Sequence, residues 1–66
     1  MEPIYKDITV KLVGEDGNAF AILARVMSAM RKAGLSKEEI DKFHTEATSG
    51  DYDDLLYTCA KYVNVE

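Results

Sequence analysis

A chain of 66 residues, 47% hydrophobic and 30% charged, has room for one small folded domain and lacks the composition of a disordered segment. Its single cysteine, Cys59, excludes an internal disulfide and a cysteine-rich zinc site, and fits a reducing, cytoplasmic setting. The net charge is −4, and no stretch approaches the roughly 18 consecutive apolar residues of a membrane span.

The N-terminal Met1-Glu2-Pro3 lacks the basic start and apolar run of a secretory signal, so no leader is expected. Ile8, Val10 and Leu12 then alternate with Thr9 and Lys11. Period two with β-branched residues predicts a strand over residues 5–13. Gly14-Glu15-Asp16-Gly17 reads as a turn, and Asn18 stands where a helix N-cap belongs, its side-chain oxygen free to accept a first-turn amide.

The first helix is predicted over residues 19–33. Arg25, Ser28, Arg31 and Lys32 fall within one arc of about 120° at 100° per residue. The rest is largely apolar, with Phe20, Ile22, Leu23, Val26, Met27 and Met30. Such breadth predicts a central helix with neighbours on more than one side. Gly34 should end it in a left-handed C′ position, with Arg31 and Lys32 suiting the helix dipole.

Ser36 and Glu39 have capping-box spacing, and Leu35 and Ile40 that of a hydrophobic staple, so a second helix is predicted over residues 37–49. Its apolar stripe, Ile40, Phe43 and Ala47, is thin, as expected of a mostly solvated lid. Asp51 caps a third helix over residues 52–63, with Asp53 and Asp54 in its first turn and Tyr52, Leu55, Leu56, Cys59, Tyr62 and Val63 on one face. The tail Val63-Asn64-Val65 has the composition to extend into a short second strand.

The fold class is therefore α+β, mostly helical, in the order β-α-α-α with that optional C-terminal strand. The expected core takes Ile8, Val10 and Leu12 from the strand. The first helix adds Phe20, Leu23, Val26, Met27 and Met30, and the later segments add Leu35, Ile40, Phe43, Leu55, Leu56 and Cys59. A lone strand leaves backbone groups unpaired, so its partner is either the tail or a second copy in a homodimer.

Catalytic and cofactor patterns are poor. His44 and Cys59 are single residues, read as a half-buried surface histidine and a small core side chain. Asp51, Asp53 and Asp54 lack the ligand spacing and glycine of a calcium loop and read as capping groups. Gly14-Glu15-Asp16-Gly17 puts two acids where a phosphate would lie. No cofactor, metal or enzymatic activity is expected.

Charge bears on partners. Residues 1–33 carry five basic and four acidic side chains, residues 34–66 three and eight. The acidic half should repel phosphates and anionic lipids. The first and second helices, with glycine between them, loosely match helix-turn-helix spacing, but the would-be recognition helix is acidic, which disfavours nucleic acid. Arg25, Arg31, Lys32 and Lys37 form the candidate basic patch near the turn, and Tyr57 beside Lys61 a candidate anchor for a protein partner of unknown identity.

The segments Val10-Lys11-Leu12-Val13-Gly14-Glu15-Asp16-Gly17-Asn18-Ala19-Phe20 and Glu46-Ala47-Thr48-Ser49-Gly50-Asp51-Tyr52-Asp53-Asp54-Leu55-Leu56 resemble a family of short uncharacterised proteins from bacteria and their phages. The resemblance spans about residues 8–65. It implies a bacterial or phage origin and a cytoplasmic setting, and it carries no catalytic residue or cofactor. The expected function is that of a non-enzymatic interaction module or accessory factor, with a nucleic-acid-associated regulator as the alternative.

Overall fold

Five elements follow one another in a computed structural model that describes residues 2–66: β1 (Tyr5–Val10), α1 (Ala19–Lys32), α2 (Lys37–Ala47), α3 (Tyr52–Tyr62) and β2 (Val63–Val65). The fold is thus a small α+β unit of β-α-α-α-β order. Met1, part of the segment read above as carrying no leader, lies outside the described residues.

Local chemistry sets each helix boundary. The Asn18 side chain accepts the Phe20 amide, and Asp16 accepts that of Asn18. At the other end of α1, Gly34 takes φ +88°, the Gly34 amide reaches Arg31 and the Leu35 amide reaches Met30. This is the Schellman arrangement, and only glycine adopts its left-handed residue without cost. Ser36 with Glu39, and Asp51 with Asp54, form reciprocal capping boxes at the starts of α2 and α3. The α2 helix stops at Ala47 rather than 49, because the Thr48 and Ser49 hydroxyls turn back to donate to the carbonyls of His44 and Glu46. Val63 then switches to φ −136°, ψ 165°, so α3 passes into β2 with no intervening residue.

The two strands lie parallel, Tyr5 opposite Val63 and Val10 opposite Val65. The tail, not a second copy, is therefore the partner of β1. The ladder is irregular between Tyr5 and Thr9, where β1 spends more residues than β2. Asn64 fills that bulge: its side-chain amide donates to the carbonyls of Lys6 (2.6 Å) and Ile8 (3.3 Å). Strand β1 ends at Val10 instead of 13. Beyond it the Leu12 and Val13 amides converge on the one Glu66 carbonyl, which breaks the ladder's alternation.

The core joins one face of this pair to all three helices. Val26, Met30, Phe43 and Cys59 are wholly buried, with Ile8, Val10, Ile22, Leu23, Ile40 and Leu55 around them. Tyr62 packs edge-on against Phe43 at 5.3 Å and lies 6.1 Å from the Tyr5 ring, tying β1, α2 and α3 together.

Two expected core residues are not in it. Phe20 is 82% exposed, because it lies roughly 100° around α1 from the stripe of Ile22, Leu23, Val26 and Met30. Leu56 is also exposed: α3 is rotated to bury Thr58, whose hydroxyl donates to the Asp54 carbonyl and so enters the core satisfied. Leu12, Met27 and Leu35 are half-buried at the core's margin. Ile22, Ala47, Tyr62 and Val63 are core residues that the expected set left out.

Candidate interaction surface

Cys59 is fully buried, and burial pushes its thiol up to about 11, so it stays protonated at neutral pH. His44 is exposed, rather than half-buried, on the outer face of α2. Asp51 and Asp54 are engaged in their capping box, and no group of three His, Cys, Asp or Glu side chains converges among the described residues.

Tyr57 is 71% exposed and, with Ala60, Lys61 and Glu2, lines a shallow depression on α3. Tyr57 and Lys61 are thus brought together as expected. Lys61, however, is paired with Glu46, which also accepts from the Tyr62 hydroxyl at 2.9 Å. The Lys61 ammonium and that hydroxyl hold the Glu46 carboxyl below its ordinary range. Burial, reinforced by Glu46, pushes the Tyr62 phenol up to about 12.

The expected basic patch divides. Arg31 lines a groove between α1 and α2 with Met27, Leu35, Lys37, Ile40 and Asp41. Arg25 and Lys32 lie on another groove, between α1 and β1, together with Thr9, Val10, Lys11, Ser28 and Ala29. It holds about 400 Å³, and a separate hollow of about 310 Å³ nearer the start of β1 is lined by residues 4–8 with Ala33 and Leu35.

The lining shows what this groove is. Neighbouring side chains on a strand point to opposite faces, so a groove touching consecutive residues runs along the strand's edge. On the helix the lining positions are 25, 28, 29, 32 and 33, the spacing of one face. Small Ser28 and Ala29 make the floor, with Arg25 and Lys32 at its ends.

Among the described residues this edge of β1 is open, the two-stranded sheet pairing β1 with β2 alone. The carbonyls of Lys6, Ile8 and Val10 and the amide of Leu12 serve the β2 side. By alternation, Asp7, Thr9 and Lys11 turn their backbone groups to the groove.

Beside residues 9–11 the groove is lined by basic side chains, while Asp7 lies against the hollow nearer the start of β1. Lys11 and Lys32 are exposed. Arg25 reaches Glu15 through one terminal nitrogen at 3.3 Å, while its Nε is buried with no hydrogen-bond partner among the described residues. The edge escaped the sequence reading, because alternation tells which side chains are buried but not which flank of a strand finds a partner. The spacing of Arg25, Ser28, Ala29 and Lys32 was the one available signal.

No protein-family model, curated protein or solved structure matches the chain.

Proposed function

We propose that the chain is a non-enzymatic protein-interaction module that receives its partner along the open edge of β1. The observation that carries this reading is the unpaired edge facing a groove walled by one helical face. Unsatisfied strand edges bind added strands through main-chain hydrogen bonds, with alternate side chains supplying selectivity. The protonated, buried Cys59 and the isolated, exposed His44 offer no nucleophile–base pair in support of catalysis. A bacterial or phage accessory factor acting on a host protein fits the family resemblance.

A nucleic-acid-associated regulator is the second reading, favoured by Lys11, Arg25 and Lys32 along one groove. It is opposed by α2, the candidate recognition helix, which carries Glu38, Glu39, Asp41 and Glu46 against Lys37 and Lys42.

The test is selection of random linear dodecapeptides on the immobilised chain, repeated with Thr9→Pro. Proline is tolerated on an edge but removes the amide that Thr9 presents there. Binders weakened about tenfold by Thr9→Pro, in a variant whose circular dichroism is unchanged, support the module. Binders indifferent to it, or retention on heparin without peptide binding, refute it.

A further inference from the structure

We infer that the occupant of the β1–α1 groove is an extended acidic segment of a partner protein, bearing carboxylates four residues apart with a small or β-branched residue between them. This inference rests on the interaction-module reading and adds the chemistry of the partner.

Three features of the groove specify it. First, the backbone groups of Asp7, Thr9 and Lys11 require a ladder of amides and carbonyls, which a peptide offers and a phosphodiester strand does not. Second, Arg25 and Lys32 are seven residues apart on α1, or about 10 Å, at the two ends of the Ser28–Ala29 floor. On an added strand, same-face residues four apart are separated by about 13 Å, within reach of these long side chains, and the residue midway lies over the floor. Third, the half of the groove beside residues 9–11 is lined by Lys11, Arg25 and Lys32 and, among the described residues, by no acidic side chain; Lys11 and Lys32 are exposed there, while Arg25 pairs with Glu15. A carboxylate docked against these ammonium groups makes a charge-assisted bond, stronger than a neutral one.

The same charges argue against a second copy. Two chains pairing edge to edge would each bring Lys11, Arg25 and Lys32 to one seam, and like charges across an interface disfavour docking.

The probe is a capped nonapeptide, Ser-Thr-Glu-Thr-Val-Thr-Glu-Thr-Ser, labelled for fluorescence anisotropy. It is compared with a version carrying Lys for both Glu, and with two versions N-methylated on alternate sets of amides. The acidic probe should bind at least about tenfold tighter than its Lys counterpart, weaken as salt rises, and lose about tenfold with Lys32→Glu, an exposed and structurally tolerant change. One N-methylated set should abolish binding and the other should leave it intact, because only alternate amides of an added strand face β1.

Failure of the acidic probe to bind overturns the inference. So does equal binding of the Lys peptide; if binding then still distinguishes the two N-methylated sets, the interaction module survives and only its acidic preference fails. Binding indifferent to both N-methylated sets defeats both. A dimer by light scattering that Thr9→Pro dissociates assigns the edge to a second copy, and an oligothymidylate that outcompetes the probe assigns the groove to nucleic acid; either result overturns the inference.

Discussion

Replacing Asn64 should destabilise the protein far more than its position one residue into a three-residue strand suggests. At the bulge in β1 the Asn64 side-chain amide donates to the carbonyls of Lys6 and Ile8, the second of which the register also pairs with the Asn64 main chain. A neutral hydrogen bond contributes about 1 kcal/mol net. The 2.6 Å bond to Lys6 deserves the full figure, the 3.3 Å bond to Ile8 less, and water reaches part of the site. Asn64→Ala should therefore cost about 1.5 kcal/mol, which in a chain of this size lowers the thermal midpoint by about 10 °C. Asn64→Asp should cost more, because a carboxylate offers no donor to two carbonyl oxygens. Asn64→Val is the discriminating variant: it has the higher strand propensity and still no donor. Urea unfolding followed by far-ultraviolet circular dichroism measures all three. Recovery of wild-type stability in Asn64→Val would attribute the loss to propensity and refute the role of the bulge contacts.

Phe43→Ala, which empties the centre of the aromatic contact with Tyr62, should cost about 3–5 kcal/mol, enough to leave a domain this small largely unfolded at room temperature; a cooperative urea transition near the wild-type midpoint would contradict it. Phe20→Ser should change stability by less than about 0.5 kcal/mol, because the ring is exposed, and a larger loss by the same measurement would return Phe20 to the core. Gly50→Ala should cost about 1 kcal/mol, since its Cβ would fall on the Asp54 carboxylate and displace it from the capping box; the cost should vanish in an Asp54→Gly background, which removes every Asp54 side-chain atom the methyl would meet, and persistence there would locate the strain elsewhere. Stability should fall in alkali: Cys59 and Tyr62 hold their protons up to about 11 and 12, above their ordinary 9.0 and 10.0, so their contribution is complete below pH 9 and is lost as pH climbs through those higher values. Urea midpoints that stay level from neutral pH to that range would contradict it.

The helical boundaries were the most legible part of the sequence. Asn18, Ser36, Glu39, Asp51 and Gly34 all act where their side chains, or the lack of one, suggested. Capping is chemistry within a few residues, so it is written locally. The Tyr57–Lys61 pairing was equally readable, being one turn of one helix. Phe20 and Leu56 were misplaced for the complementary reason. Periodicity defines an apolar arc, but which part of it is buried depends on where neighbouring elements sit, and α3 was free to turn Thr58 inward once its hydroxyl had the Asp54 carbonyl. The expected basic patch is split by the helix itself: Arg25 and Lys32 share a groove, while Arg31, about 100° from Lys32 around the helix, faces another.

From sequence alone came the element order, the caps and the uncharged heart of the core, all properties of short-range spacing. Tertiary structure alone chose the partner of β1, because pairing Tyr5 with Val63 closes almost the whole chain, and nothing local distinguishes that contact from one with a second copy. The same choice created the surface proposed to receive a partner. Once β2 and the Asn64 amide occupy one flank of β1, the other is left as an open edge beside Arg25, Ser28, Ala29 and Lys32.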